Sequence, residues 1–367
     1  MKILQVCDKK ISGVEYHRLL IPHGKLNELE EVEITTAHII DHLPDSFFHQ
    51  FDLIVSSSVV SKMGFQEILW KQLKRIGIPV IIDRDDTWVL PHNHPLKKDW
   101  VSKKTAQQIT YNLQQANAVM VTTKHLANMV SPLNKNVHVI PNAIDFNQDQ
   151  FKTDLKVKRM KTDHIQIGWS GSVTHHHDLV LLAESFLQLK SDPDTQNKYR
   201  LILSGFIEGD AMWKEYENIF TSGYRISQEQ YCRINGMDAF TYASAYDMFD
   251  IGLIPLKDTP FNRCKSELKM LEMGAKKVSV IVSDEYPYTN IAKNKKNCLT
   301  ANKKEWFKQM KKLITLPELT SELSENLYNE VKENHNIEKV NELRLELYKE
   351  VICKSLATNC LKTSANV

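Results

Sequence analysis

The six cysteines of this 367-residue chain, Cys7, Cys232, Cys264, Cys298, Cys353 and Cys360, form no CxxC pair. On sequence grounds that excludes a zinc knuckle and a disulfide framework, and reduced thiols in a cytosol are expected. No apolar run approaches the ~20 residues of a membrane span. The first eight residues, MKILQVCD, read as a short strand and not as a signal peptide. Contact with a membrane surface is left open. Neither sign of charge dominates: 47 Lys+Arg stand against 45 Asp+Glu, a net charge of +2. That argues against a non-specific grip on a polyanion, while leaving room for a local basic groove. There is no GxGxxG after the first strand, so a dinucleotide cofactor is not expected. No short-period repeat is present.

The chain is too long for one typical core, so two domains are expected. Its first half alternates strand patterns at residues 2–7, 32–39, 51–56, 79–83, 118–122 and 137–140 with helical patterns at 16–28, 65–76 and 105–116. Several strands are continuous Val/Ile runs, which implies a parallel sheet buried on both faces. This βαβ rhythm predicts a Rossmann-like open sheet, with ligands beyond the carboxyl ends of the strands. Residues 146–163 are polar and Lys-rich and read as a linker. The rhythm then restarts, with strands at 164–172, 199–206, 251–256, 278–283 and 297–300. Helices follow at 306–314, 319–333 and 337–353, and residues 358–367 read as a frayed tail.

Candidate functional residues sit in the loops. After the first strand, Gly13 offers close backbone approach to a ligand, and Tyr16 and Arg18 offer polar reach; a simple turn is the alternative. After the strand Val80-Ile81-Ile82 come Asp83, Arg84, Asp85 and Asp86. Carboxylates so close repel unless something positive answers them. Asp85 and Asp86 suit a general base acting on an acceptor hydroxyl; helix capping by Asp86 with a salt bridge to Arg84 is the alternative. His92 and His94 lack a third ligand, and consecutive His175, His176 and His177 do not converge on one ion, so no metal is expected. One of the three histidines is placed to donate to a phosphate or sugar. Gly168, Gly171 and Ser172 form a Gly/Ser loop, and Ser204 and Gly205 end the next strand. Tyr231, Tyr242 and Tyr246 read either as core aromatics or as a platform for a base.

The most informative stretch is Pro260-Phe261-Asn262-Arg263-Cys264-Lys265-Ser266-Glu267-Leu268-Lys269-Met270-Leu271-Glu272-Met273-Gly274-Ala275. It follows a buried strand, and Asn262 suits a helix N-cap. Lys265, Lys269 and Glu272, at i, i+4 and i+7, then share one face. A helix opening with Lys and Ser suits an anion, because its first N–H groups and its dipole favour one. Glu272, about 10 Å along at 1.5 Å per residue, is where a ribose would fall if a diphosphate sat at the helix start. An ordinary charged surface helix is the alternative.

Two Rossmann-like halves, a Pro-Asn-Ala-Ile-Asp junction at 141–145, a Gly-Trp-Ser-Gly loop at 168–171 and a Leu-Glu-Met-Gly-Ala helix at 271–275 together resemble GT-B-type glycosyltransferases. In particular the chain resembles the retaining family 4, in a branch found in bacteria and phages. That branch reads Asp-x-Asp-Asp-x-Trp, here Asp83, Asp85, Asp86 and Trp88. It also reads Phe-Asn-x-x-Lys-Ser-x-x-Lys-x-x-Glu, here Phe261, Asn262, Lys265, Ser266, Lys269 and Glu272.

The resemblance implies an α/β fold of two doubly wound domains facing a central cleft. The acceptor domain would be 1–145, the linker 146–163 and the donor domain 164–335, with a helix at 336–357 packing back on the first domain. It implies a hexosyl- or pentosyltransferase using a nucleoside-diphosphate sugar as co-substrate, with no metal or other cofactor and with retention of configuration. The acceptor would be an envelope glycan or lipid-linked sugar, and the location a bacterial cytosol or that of a phage-infected host. Glu272 would hold the donor ribose, and Lys265 and Ser266 its diphosphate. Gly13, Gly171, Ser172, Ser204, Gly205 and Lys269 would complete the donor side. Tyr16, Arg18, Asp83 and Trp88 would lie toward the acceptor, and Asp85, Asp86 and Lys265 would serve catalysis. Eight positions before Glu272, where the family has a second glutamate, this chain has Cys264. Those contacts must then come from Asn262 or Arg263. Rival readings are a DNA-modifying transferase acting on hydroxymethylated bases, a nucleotide-sugar epimerase, and a non-catalytic sugar-nucleotide-binding protein.

Overall fold

The computed structural model describes residues 1–57, 66–152, 164–221 and 230–365. The chain divides into two compact units. The first comprises Met1–Ala143, Cys264–Ser266 and Ile337–Val367; the second comprises Ile144–Arg263 and Glu267–Asn336.

The first unit holds strands β1 (Lys2–Val6), β2 (Glu33–Ala37), β3 (Leu53–Ser56), β4 (Val80–Arg84), β5 (Ala118–Val121) and β6 (Val137–Val139). They form one parallel sheet in the order β2-β1-β3-β4-β5-β6. Alternate residues feed two cores: Leu4, Val6, Ile54, Val80, Ile82, Val119 and Val121 on one face, and Ile3, Leu53, Val55, Ile81, Ala118 and Met120 on the other. The apolar runs are continuous because both faces are covered.

Part of that second cover is the C-terminal helix Ile337–Ala365, which places Ile337, Val340, Leu347, Tyr348 and Val351 in the core. Leu343, on the same helix, faces solvent. The helix runs past Thr358, where the sequence reads as fraying, to Ala365. A buried polar contact fixes its seat: His23, on the helix Ile21–Leu26, bridges Gln5 Oε1 at 2.6 Å and the Tyr348 hydroxyl at 2.8 Å. Burial and the Arg344 charge push the imidazole down to about 3, so it stays neutral.

The second unit holds β7 (Ile165–Ser170), β8 (Tyr199–Phe206), β9 (Tyr231–Asn235), β10 (Ile251–Ile254), β11 (Ser279–Ser283) and β12 (Leu299–Ala301). Its parallel sheet runs β12-β11-β10-β7-β8-β9. The order reverses between β7 and β10, the topological switch point at which such sheets take ligands. The first sheet reverses between β1 and β3. Residues 146–152, the start of the stretch read as a linker, belong to the second unit. Phe151 is buried there, and Gln150 donates to the Ala239 carbonyl while accepting from the Ala243 N–H. Residues 153–163 lie outside the described residues.

Candidate active site

In the second unit the site is built at the switch point. Strand β7 ends at Ser170 and the chain turns at Gly171. A methyl group on Gly171 would lie 2.6 Å from the Trp169 ring and 3.1 Å from Lys269 Nζ. Glycine there admits the Lys269 ammonium, which lies 5.3 Å from the Trp169 ring centre. Lys269 Nζ is also 3.5 Å from His175 Nε2. His175 Nδ1 meets Asp178 Oδ2 at 3.0 Å, so the Nδ1–H tautomer satisfies both contacts. Asp178 Oδ1 accepts from the Lys257 N–H and from Asn262 Nδ2, each at 2.9 Å. Burial alone would raise the Asp178 carboxyl. The bond and charge of His175, the Lys257 N–H and the Lys269 charge outweigh that and hold it below the ordinary range. One chain of contacts thus runs Asn262–Asp178–His175–Lys269 and ends on the glycine loop.

Gly205 joins this loop from β8. Its φ is +111°, and an added methyl would lie 2.3 Å from the Gly171 carbonyl oxygen. Both the backbone angle and the space demand glycine. Gly205→Ala is expected to cost about 2–4 kcal/mol, read as a lowered melting temperature; an unchanged melt would disprove the packing argument.

Other expected donor residues are placed differently. Ser204 is buried, with its carbonyl accepting from the Gly171 N–H at 3.1 Å. Ser172 is exposed and bonds Thr174 at 2.9 Å. Arg263 pairs with Asp258 through Nε at 2.6 Å and Nη2 at 2.7 Å. Glu272 is 2 % exposed, and its two oxygens accept from the Tyr242 and Tyr246 hydroxyls. Gly168 serves packing, since a methyl there would meet Phe249 at 2.2 Å.

The helix itself corrects the sequence reading. It spans Leu268–Ala275 with Glu267 at the N-cap position, so Asn262 does not cap it and Lys265 does not share its face. Residues 262–264 form a short 3-10 turn, and 264–266 are held within the first unit. Cys264 is 3 % exposed in that unit's core, with its thiol 3.7 Å from Met129 Sδ. Burial, then the Asp86 charge, pushes the thiol up to about 11. Lys265 Nζ meets Asp86 Oδ2 at 3.3 Å. Ser266 Oγ accepts from Asn142 Nδ2 at 2.8 Å. These contacts hold the segment out of helical register. Lys265 and Ser266 accordingly stand beside Asp86 and Asn142, just ahead of the N-cap Glu267 and outside the helix itself.

In the first unit, Arg18 and Asp83 are each 1 % exposed and locked together. Arg18 Nε and Nη2 donate to the two Asp83 oxygens at 2.8 and 3.0 Å. Nη1 donates to the Ile140 and Pro141 carbonyls and to Asn142 Oδ1. Arg18 lies in the π-helical turn Tyr16–Leu20, so this fork ties that turn to β4 and to the end of β6. Arg18 and Asp83 thus spend their polar atoms on each other and on the chain inside the unit. Tyr16 and Trp88 are buried too, Trp88 donating to Thr110 Oγ1 at 2.9 Å. Gly13 opens the exposed turn Gly13–Glu15 behind a Ser12 capping box, and a methyl on it would touch nothing within 4 Å.

Asp85 and Asp86 remain half-buried at the end of β4. Burial, then the neighbouring Asp86 charge, pushes the Asp85 carboxyl up to about 6, against the pull of Arg84 and Arg18. Arg84 Nε donates to the Asp86 carbonyl at 2.8 Å, so its hydrogen bond goes to the backbone while its charge still acts on the Asp85 carboxylate. The sequence assigned no role to Asp178 or Asn142. An i, i+3 His/Asp pair at a helix start was the available signal for Asp178; Asn142 stood in the Pro-Asn-Ala-Ile-Asp junction, but nothing local signalled its partners Arg18 and Ser266.

No protein-family model and no curated protein sequence matches the chain. Solved structures do resemble it. Sucrose-phosphate synthase from Thermosynechococcus elongatus superposes with a TM-score of 0.70 at 12% identity, over 96% of this chain and 100% of that one. Anabaena HepE in complex with UDP and glucose gives 0.65 at 13%, over 95% and 100%. An alpha-glucosyltransferase in complex with UDP and a 13-mer DNA containing an HMU base gives 0.64 at 12%, over 95% and 99%. The fold is that of the GT-B glycosyltransferases, as the sequence motifs implied.

Proposed function

We propose that the chain is a glycosyltransferase that moves a sugar from a nucleoside-diphosphate sugar to an acceptor hydroxyl, with no metal ion and with retention of configuration. The observation that carries this reading is the Lys269 ammonium held over Gly171 at the second sheet's switch point. A cation there, with the loop N–H groups, suits the leaving diphosphate. UDP is the favoured nucleotide because HepE and the alpha-glucosyltransferase carry it in their structures. Glu272 takes the ribose by exchanging the half-buried Tyr242 hydroxyl for a sugar hydroxyl. Asp85 accepts the proton from the acceptor, with the Asp86 charge beside it raising its proton affinity and Lys265 paired to Asp86. The acceptor is an envelope glycan or lipid-linked sugar. A hydroxymethylated DNA base is the second reading, favoured by the DNA-bound neighbour. The resemblance to family 4 supports retention.

The test is titration calorimetry with UDP, followed by labelled UDP-sugars offered with lipid-linked glycans and with hydroxymethylated DNA. Lys269→Ala is expected to weaken UDP binding roughly 10- to 100-fold, the range of a charge-assisted hydrogen bond. Equal UDP affinity in the folded variant would remove Lys269 from the diphosphate site. Failure of the wild type to bind any nucleoside diphosphate would sink the transferase reading.

A further inference from the structure

The described residues carry a concentrated surface feature that the transferase reading does not use. Val89 is 56 % exposed, Leu96 51 % and Val101 62 %. These three large apolar side chains fall within residues 89–101, directly after the loop bearing Asp85 and Asp86. Across residues 89–104 the charged side chains are Lys97, Lys98, Asp99, Lys103 and Lys104. Four lysines less one aspartate leave a net charge of +3, against +2 for the whole chain, so the remainder is net −1.

The segment is a held structure. Its helix Lys97–Ser102 is pinned by Trp100 Nε1 donating to the Trp88 carbonyl at 3.0 Å and by Lys97 Nζ donating to the Leu90 carbonyl at 2.8 Å. Trp88 itself is buried in the unit's core. Lys103 is turned back on Asp99 at 2.9 Å. Lys98 and Lys104 are exposed, and Lys104 sits at φ +51° as the next helix, Thr105–Gln115, begins. The fold therefore leaves Val89, Leu96 and Val101 exposed within a short segment whose Lys98 and Lys104 are exposed as well.

We propose that this face of the first unit binds the surface of an anionic lipid bilayer, with Val89, Leu96 and Val101 entering the headgroup boundary and Lys98 and Lys104 meeting lipid phosphates. The combination selects the partner. A nucleic acid backbone is answered by lysines alone and gains nothing from exposed Val and Leu, whereas a bilayer interface takes both. The inference stands apart from the transferase reading, since it requires no sugar donor.

Flotation of the full-length chain with vesicles tests it. Vesicles of phosphatidylcholine with one third phosphatidylglycerol are expected to carry the protein, and pure phosphatidylcholine vesicles at least tenfold less. Raising the salt should release it. The exposed-face variant Val89→Ser/Leu96→Ser/Val101→Ser and the variant Lys98→Glu/Lys104→Glu should each lower partitioning at least tenfold, with unchanged circular-dichroism melts. Absence of wild-type flotation, or flotation indifferent to both variants, overturns the proposal. So does loss of duplex-DNA retention in the lysine variant while its flotation persists, which would make this a nucleic-acid face.

Discussion

Asp85→Asn is expected to lower kcat by about 10²- to 10⁴-fold, the range of a positioned general base, and at the same time to raise the melting temperature. Both effects follow from one cause. Burial and the Asp86 charge raise the Asp85 carboxyl to about 6, against an ordinary value of about 3.9. In the folded chain it holds its proton through a range where the unfolded chain has released it. Stability is therefore greatest, for this group, below the unfolded value, and is lost as pH rises through 4 toward 6. Above that range the strain amounts to roughly 2–3 kcal/mol at about 1.4 kcal/mol per pH unit. Asparagine removes it. The gain in melting temperature should be larger at pH 8 than at pH 5. Wild-type activity should fall on the acid side of pH 6, where the base is protonated. A gain independent of pH, or full activity in the variant, would show that Asp85 plays neither part.

The largest loss of stability is expected from Arg18→Ala. It leaves the Asp83 carboxylate buried without its two guanidinium donors and strips the Ile140 and Pro141 carbonyls of theirs. Breaking one side of a buried pair costs about 3–5 kcal/mol. Removing both charges together, as Arg18→Leu/Asp83→Leu, should cost less than the two single changes summed, because no uncompensated charge is left behind. Thermal melts of the four proteins measure the coupling. Additive losses would mean that the pair is a surface-like contact despite its burial.

These two sites mark how far the sequence could be read. Sheets buried on both faces write their strands as continuous apolar runs, so β4 (Val80–Arg84) and β5 (Ala118–Val121) could be found without coordinates. The edge strand β9 (Tyr231–Asn235) was missed, because only one side of it is covered and its Arg233 and Asn235 break the run. The glycine loop at Gly171 and the helix bearing Lys269 and Glu272 were also legible, from glycine placement and helical spacing. The partners were not. Arg18 and Asp83 lie far apart in sequence, and a charged residue at the end of a strand looks the same whether it turns inward or outward. The same limit misplaced Lys265 and Ser266. Helical periodicity extended the helix backward through them, while Cys264, seated in the first unit's core, takes that stretch out of the helix.

The membership of the first unit has a consequence for how it is made. Its core draws on Ile337, Val340, Leu347, Tyr348 and Val351 from the C-terminal helix and on Cys264 from the middle of the chain. A ribosome therefore releases all six strands of that sheet long before the residues that complete the cover of one of its faces exist. Until the last helix emerges, the nascent sheet shows water part of an apolar face and a His23–Gln5 pair without Tyr348. Such a half-covered sheet is a natural client for a chaperone. An expressed fragment ending near Ala143 should be insoluble and regain solubility when residues 337–365 are supplied with it.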